Sequence, residues 1–162
     1  MNTQPILDAF WQSYLASLPS GAAIPTTYTA WGFGHTAQDA DTLGNLVLRG
    51  IKTATCSLMW MYEAEQEPLP QVGDLSIILD GTGAPLCIIE TTELRVKAYQ
   101  DVDAHFAYDE GEGDRSLAYW RDVHWRYFAE ECASIGREVS MEMPLLCERF
   151  RVAFKPCITS SK

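Results

Sequence analysis

The sequence predicts an α+β fold: a small, mostly antiparallel sheet or mixed β-barrel, with helices interleaved and flanking it. Three observations point there. Short β-prone runs recur along the chain, separated by turn residues. The clearest pair, 75–79 and 85–94, is joined by Asp80-Gly81-Thr82-Gly83, a strand-loop-strand pattern that reads as a hairpin. Too few strands are followed by a full helix to build a regular parallel α/β sheet.

The elements follow in order. Residues 5–18 read as an extra N-terminal helix: Ile6, Leu7, Phe10, Trp11, Tyr14, Leu15 and Leu18 recur at spacings of three and four. Thr3 stands where an N-cap belongs, Pro5 suits the first turn, and Pro19-Ser20-Gly21 ends the helix. Residues 26–34 are β-branched and aromatic, then Gly-punctuated, a strand leading into a loop. Residues 37–49 read as a second helix, with Leu43, Leu46 and Val47 on its buried face and Gly50 as its left-handed end. Residues 53–58 are short and β-prone. After the hairpin, residues 96–99 continue or add a strand, and residues 103–108 form a short helix. Residues 116–135 are the longest helical candidate, with Leu117, Trp120, Val123, Tyr127 and Phe128 near one face and Gly136 closing it. Residues 145–154 alternate weakly and end the fold as a strand.

Composition narrows the function classes. A chain of 162 residues is the usual size of one domain and buries enough surface to need no disulfide or metal for its core. With 47% apolar and 21% charged residues it is neither a disordered tail nor a collagen-like repeat. No uncharged stretch that is also free of strong polarity approaches the roughly 18 residues of a membrane span. Twelve bases against 22 acids give a net charge of −10, which excludes a broad basic face for sequence-blind phosphate binding. The acid is concentrated: residues 60–115 carry 13 acids and 3 bases, residues 116–162 carry 6 acids and 7 bases, so a locally basic cleft remains open. The five cysteines Cys56, Cys87, Cys132, Cys147 and Cys157 show no CxxC spacing and read as reduced core residues of a cytoplasmic protein. The N-terminus has no basic stretch followed by an apolar one, so no secretion signal is expected.

The common catalytic signatures are absent: no GxxxxGK[ST] loop, no GxSxG elbow, no HExxH helix. His35, His105 and His124 are far apart in sequence and read as ordinary surface or core residues. Two segments remain. In Gly50-Ile51-Lys52-Thr53-Ala54-Thr55 a lysine and two hydroxyls follow a helix end and open a strand. Alternation points Lys52 one way and Thr55 the other, unless a twist or bulge lets them converge. In Asp109-Glu110-Gly111-Glu112-Gly113-Asp114 two glycines between carboxylates free the backbone to aim the acids, and the helix that follows carries Arg115, Trp120, Arg121 and His124.

These segments, in this order, carry a resemblance. Gly50-x-Lys52-Thr53-Ala54-Thr55 resembles the GxKxxT signature of the ASCH domain family. So do the Pro70-x-Val72-Gly73-Asp74 turn, the hairpin strand from Gly83 to Thr92, Glu110-Gly111-Glu112-Gly113-Asp114-x-Ser116-Leu117, Trp120-Arg121-x-x-His124 and Glu148-Arg149-Phe150. The whole is similar to a longer bacterial subgroup with an added N-terminal helix. The resemblance implies a PUA-like barrel with a cleft that binds RNA or a nucleoside-sized ligand. It divides the chain into an N-terminal helical extension (1–28), an ASCH domain (29–156) and a C-terminal tail (157–162).

Two activities are implied for such domains, amide hydrolysis of N4-acetylcytidine and ribonuclease activity. In the amidohydrolase members a Lys, a Thr three residues later and a Glu are catalytic. Carried over, these are Lys52, Thr55 and either Glu110 or Glu112, with Glu112 preferred. An Arg that often follows the Thr by two residues is replaced here by Ser57. The phosphate-binding charge is therefore sought at Arg115 or Arg121, with Thr53 beside the ligand and Tyr28, Trp31 and Trp120 as stacking surfaces. In the hydrolase reading Thr55 attacks, Lys52 is its base or stabilises the oxyanion, and a glutamate orients the lysine or activates water. A non-catalytic module that binds RNA or a modified nucleotide is the alternative. No cofactor is required, although the acids from Asp109 to Asp114 leave a divalent cation open. The partners expected are RNA or a small nucleoside and no membrane, and the N-terminal helix leaves a homodimer open.

Overall fold

The structure, a computed structural model, describes residues 3–156; Cys157 and the tail 157–162 lie outside them. The elements run α1 (Gln4–Ser17), β1 (Thr29–Trp31), α2 (Ala37–Leu48), β2 (Ala54–Leu58), α3 (Met59–Glu65), β3 (Leu75–Leu79) and β4 (Pro85–Ala98). A 3-10 turn (Tyr99–Asp101), α4 (Ala104–Glu110), α5 (Leu117–Ser134) and β5 (Pro144–Phe154) follow. The strands hydrogen-bond in the order β1-β3-β4-β5-β2. The α+β class therefore stands. Pairing is antiparallel for β3 with β4 and for β2 with β5, while β1 runs parallel to β3. The chain divides into two compact units, one from Met1–Arg49, Asp74–Glu90 and Val152–Lys162, the other from Gly50–Gly73 and Thr91–Arg151.

In the first unit the stripe read along α1 does what its period requires. Leu7, Trp11 and Tyr14 are buried against Leu75, Ile77 and Ile88. Thr3 precedes α1 but makes no side-chain cap bond; Pro5 starts the helix by fixed φ instead. α2 carries a capping box the sequence reading did not use: Thr36 accepts from the Asp39 N–H, and Asp39 accepts from the Thr36 N–H. The hairpin is held at its tip by Asp80 Oδ1, which accepts from the N–H groups of Thr82 and Ala84 and from the Thr82 hydroxyl.

In the second unit Ala54, Leu58, Tyr99, Phe106, Trp120, Phe128, Cys132 and Leu145 form one apolar cluster. α5 buries Trp120, His124, Phe128 and Cys132, a row at spacing four. Of the face expected from the sequence, Trp120 and Phe128 are buried and Leu117 and Tyr127 lie at the cluster's edge. β4 continues through the residues 96–98 that the sequence left as an extension or a new strand. α3 was not expected. It follows β2 without a turn and has no N-cap side chain.

Candidate functional site

Lys52 reaches its position through backbone bonds on both sides. The Thr53 N–H donates to the Asp109 carbonyl at 2.8 Å, and the Phe150 N–H donates to the Thr53 carbonyl at 3.1 Å. The stretch before β2 is thereby fixed to α4 and to β5. α4 ends on Gly111, whose φ of 77° is left-handed. A Cβ there would lie 2.6 Å from the Ile51 carbonyl oxygen, so only glycine admits this approach. The turn brings Glu110 and Glu112 onto the same side as Lys52.

The Lys52 Nζ donates to Glu112 Oε1 at 2.8 Å, Glu110 Oε2 at 2.9 Å and the Glu110 carbonyl at 3.3 Å. Lys52 and Glu110 are each 1% exposed, while the Glu112 side chain is 14% exposed and forms the outer edge of the cluster. The other Glu110 oxygen accepts from the Trp120 indole N–H at 3.0 Å and lies 3.6 Å from His124 Nε2. His124 sits one turn after Trp120, with the rings stacked at 4.4 Å. Its Nδ1 is 2.9 Å from the Trp120 carbonyl, an acceptor, so Nδ1 carries a proton. That leaves Nε2 facing a carboxylate oxygen, and protonating it turns two facing acceptors into an ion pair.

The charge states follow from the same contacts. Burial works to lower the Lys52 pKa, but the Glu110 and Glu112 carboxylates outweigh it and hold the amine above its ordinary value, as an ammonium. Burial works to raise Glu110, but Lys52 and then His124 pull it well below the usual carboxylate range. His124 is raised because Glu110 outweighs the desolvation that would lower it. Lys52 in this state is a fixed positive charge, not a base.

The other expected residues fall in several places. Alternation along β2 puts Ala54, Cys56 and Leu58 on one face and Thr55 and Ser57 on the other. Cys56 faces the cluster: its sulfur, a Glu110 oxygen and a His124 nitrogen lie within 4.8 Å of one another. Thr55 is the register partner of Glu148, which accepts from the Thr91 hydroxyl at 2.5 Å. The Thr53 hydroxyl donates to the Asp109 carbonyl at 3.3 Å. Arg115 has a left-handed φ of 63°, donates to the Tyr108 and Ile51 carbonyls, and lies 3.5 Å over the Tyr108 ring. Arg121 is exposed, and its carbonyl accepts from the Tyr99 hydroxyl. Trp120 is 2% exposed, with Tyr99 and His124 rings against it. Tyr28 and Trp31 belong to the first unit, where Tyr28 packs on Trp11 and Trp31 meets Phe33 edge-on.

His124 and Cys56 are site neighbours that sequence reasoning missed. For His124 the signal was present as a spacing of four from Trp120 on one helix; for Cys56 it was its shared parity with Lys52. Cys56, Glu110 and His124 offer three ligand atoms, but the Lys52 ammonium 2.9 Å from Glu110 opposes a cation there. The loop acids have internal partners too: Asp109 pairs with Arg149, Glu110 and Glu112 with Lys52, and Asp114 accepts from the Ser116 N–H.

The result is an α+β domain, a mixed sheet flanked by helices, with a buried lysine-carboxylate centre. The ASCH domain family model matches residues 29–153, and the chain belongs to that family. The ASCH domain from Lactobacillus crispatus JV V101 is 36% identical over 92% of this chain and 94% of its own, with a TM-score of 0.86. Protein EF3133 from Enterococcus faecalis V583 is 37% identical over 92% of this chain and 88% of its own, with a TM-score of 0.81. No curated protein matches the chain. No helix among the described residues is long and apolar enough to cross a membrane.

Proposed function

We propose that this protein binds RNA or a nucleoside-sized ligand beside the Lys52 cluster and hydrolyses it, the reaction being N4-acetylcytidine-type amide hydrolysis or RNA cleavage. The observation that carries this reading is a lysine 1% exposed between two carboxylates, one of which reaches the surface. Burying such a group is costly, and clusters of this kind gather at functional sites. Lys52, held as an ammonium, stabilises the oxyanion that develops at an attacked carbonyl or phosphate. Glu112, the outermost member, accepts the proton from the attacking water or hydroxyl. Glu110 holds Lys52, and Trp120 and His124 hold Glu110. Thr55, the nucleophile the resemblance implies, stands on the strand face opposite Cys56 and the cluster, so water or the RNA 2′-hydroxyl is the expected nucleophile.

One observation favours a second reading, a non-catalytic module. Buried Lys52 donates from Nζ to both Glu110 and Glu112, so the cluster also works as a strut that shapes a binding surface.

Turnover of N4-acetylcytidine and of a short single-stranded RNA decides between them, measured for wild type, Lys52→Ala, Thr55→Ala and Glu112→Gln. Wild-type turnover of one substrate, reduced at least about 100-fold in Lys52→Ala and in Glu112→Gln, is expected. Glu112→Gln changes a partly exposed residue and keeps the test valid where Lys52→Ala perturbs folding. A matching loss in Thr55→Ala makes Thr55 the nucleophile; retained activity assigns the attack to water or to the RNA 2′-hydroxyl. Binding without turnover of either substrate supports the module.

A further inference from the structure

A cleft of about 440 Å³ opens in the second unit, and three permanent cations line it: Arg95 and Lys97 on β4 and Arg149 on β5. We propose that this cleft binds a phosphate group, so that the ligand is a nucleotide or RNA and not a free nucleoside. The inference deepens the proposed function and rests on it for the nucleoside part of the ligand.

The first ground is charge. In a chain of net charge −10, this cleft gathers three cations, each paired with one carboxylate: Arg95 with Glu93, Lys97 with Asp103 and Arg149 with Asp109. Arg95 and Lys97 are two residues apart on one strand, so alternation puts both on the cleft face. The second ground is that Arg149 is already positioned. Its Nη1 donates to Asp109 Oδ2 at 2.5 Å, its Nη2 lies 3.3 Å from His105 Nδ1, and its guanidinium stands 5.5 Å over the Phe106 ring. Those two nitrogen contacts leave further N–H groups of the planar fork, which fits phosphate oxygens in pairs. The remaining pairs are exposed: Glu93 with Arg95 at 42% and 68%, Lys97 with Asp103 at 27% and 55%. Pairs of that exposure are weak, and a phosphate competes with them for the same cations.

The third ground is position. Asp109, which holds Arg149, precedes Glu110 in the chain, and the register partner of Arg149 is Ala54, two residues after Lys52. A phosphate in the cleft therefore anchors its ligand next to the Lys52 cluster. The sequence reading had sought this charge at Arg115 and Arg121. Arg115 is engaged with Tyr108 and Ile51, and neither arginine lines the cleft.

Calorimetric titration tests this with cytidine, cytidine 5′-monophosphate, inorganic phosphate and a short single-stranded RNA. The proteins are wild type, the double variant Arg95→Ala/Lys97→Ala and the milder Arg149→Lys, which keeps the charge and the Asp109 pair. In wild type the monophosphate or the RNA is expected to bind at least about tenfold tighter than cytidine. The double variant is expected to erase that difference, leave cytidine affinity unchanged and flatten the salt dependence of RNA binding by about one to two log units per log unit of salt. Arg149→Lys is expected to weaken the phosphate-bearing probes alone. A preference for the monophosphate assigns a monoester, a preference for the RNA a diester. Equal affinity for cytidine and its monophosphate, failure of every phosphate-bearing probe to bind, or a double variant that keeps the difference each overturns the site. Phosphate discrimination without turnover leaves the cleft standing and removes the hydrolase; turnover without discrimination does the reverse.

Discussion

Lys52 owes its charge to two glutamates that sit within 3 Å of it, Glu110 buried with it and Glu112 at the surface edge. Removing the lysine leaves Glu110 buried without its permanent cation, held by Trp120 and His124. Lys52→Ala is therefore expected to cost about 3–5 kcal/mol in urea unfolding at neutral pH. A loss under about 1 kcal/mol would show that water reaches Glu110 and that the cluster is not tight. His124 gives the pH dependence. Its folded pKa is raised, so the stability it contributes is fully present below its unfolded value near 6.5 and is lost as pH rises through the folded value. Glu110 is depressed, so its contribution is present above the usual carboxylate range and fades only at strongly acid pH. Unfolding free energy is thus expected to fall from pH 6 to pH 9, and His124→Asn is expected to flatten that fall. An unchanged slope in the variant would assign it to another group. At this scale the sequence named Lys52, Glu110 and Glu112. It gave His124 a place in the Trp120-Arg121-x-x-His124 motif but no role, because a histidine on an apolar helix face looks the same whether it fills the core or holds a carboxylate.

Between residue and fold, the turn after α4 decides where the acids point. Gly111 is left-handed and lies against the Ile51 carbonyl, so an added methyl meets backbone that cannot move aside cheaply. Gly111→Ala is expected to destabilise by about 2 kcal/mol or more and to loosen the Lys52 pairs along with it. Amide exchange of Thr53 and Gly111 reads that loosening; unchanged protection would mean the turn relaxes without moving Glu110. The glycines of this loop were legible as a device for aiming carboxylates, and the hairpin at Asp80–Gly83 was legible from its turn residues. α3 was not. Met59-Trp60-Met61-Tyr62 carries no cap and no turn before it, and its left-handed end is Gln66, not glycine. The capping box of α2 was readable in Thr36 and Asp39 but competed with nothing in the apolar pattern, and so passed unused.

Across the molecule, what the sequence could not supply was long-range pairing. β2 pairs with β5, which follows it by about ninety residues, and β1 pairs in parallel with β3, whereas local patterns favoured neighbouring antiparallel strands. Strand parity could be read from β2 alone, but the partner of Thr55 could not, and with it went the identity of Glu148 as its neighbour. The extension proposed at 1–28 contributes core: Leu7, Trp11 and Tyr14 pack with Leu75, Ile77 and Ile88. Trp11→Ala is expected to cost about 3–5 kcal/mol in denaturant unfolding. A cost near zero would mean that α1 is an appendage and that residues 29–156 fold without it. The most direct measurement of the whole scheme needs no substrate. It is an NMR titration of the Lys52 side-chain Cε resonance with pH, followed beside those of Lys97 and Lys155. With Lys52 fixed as an ammonium between Glu110 and Glu112, its resonance stays at the protonated position beyond the ordinary lysine range. A Lys52 that titrates near pH 7–8 would be a neutral amine at work, and the electrostatic role given to it here would be contradicted.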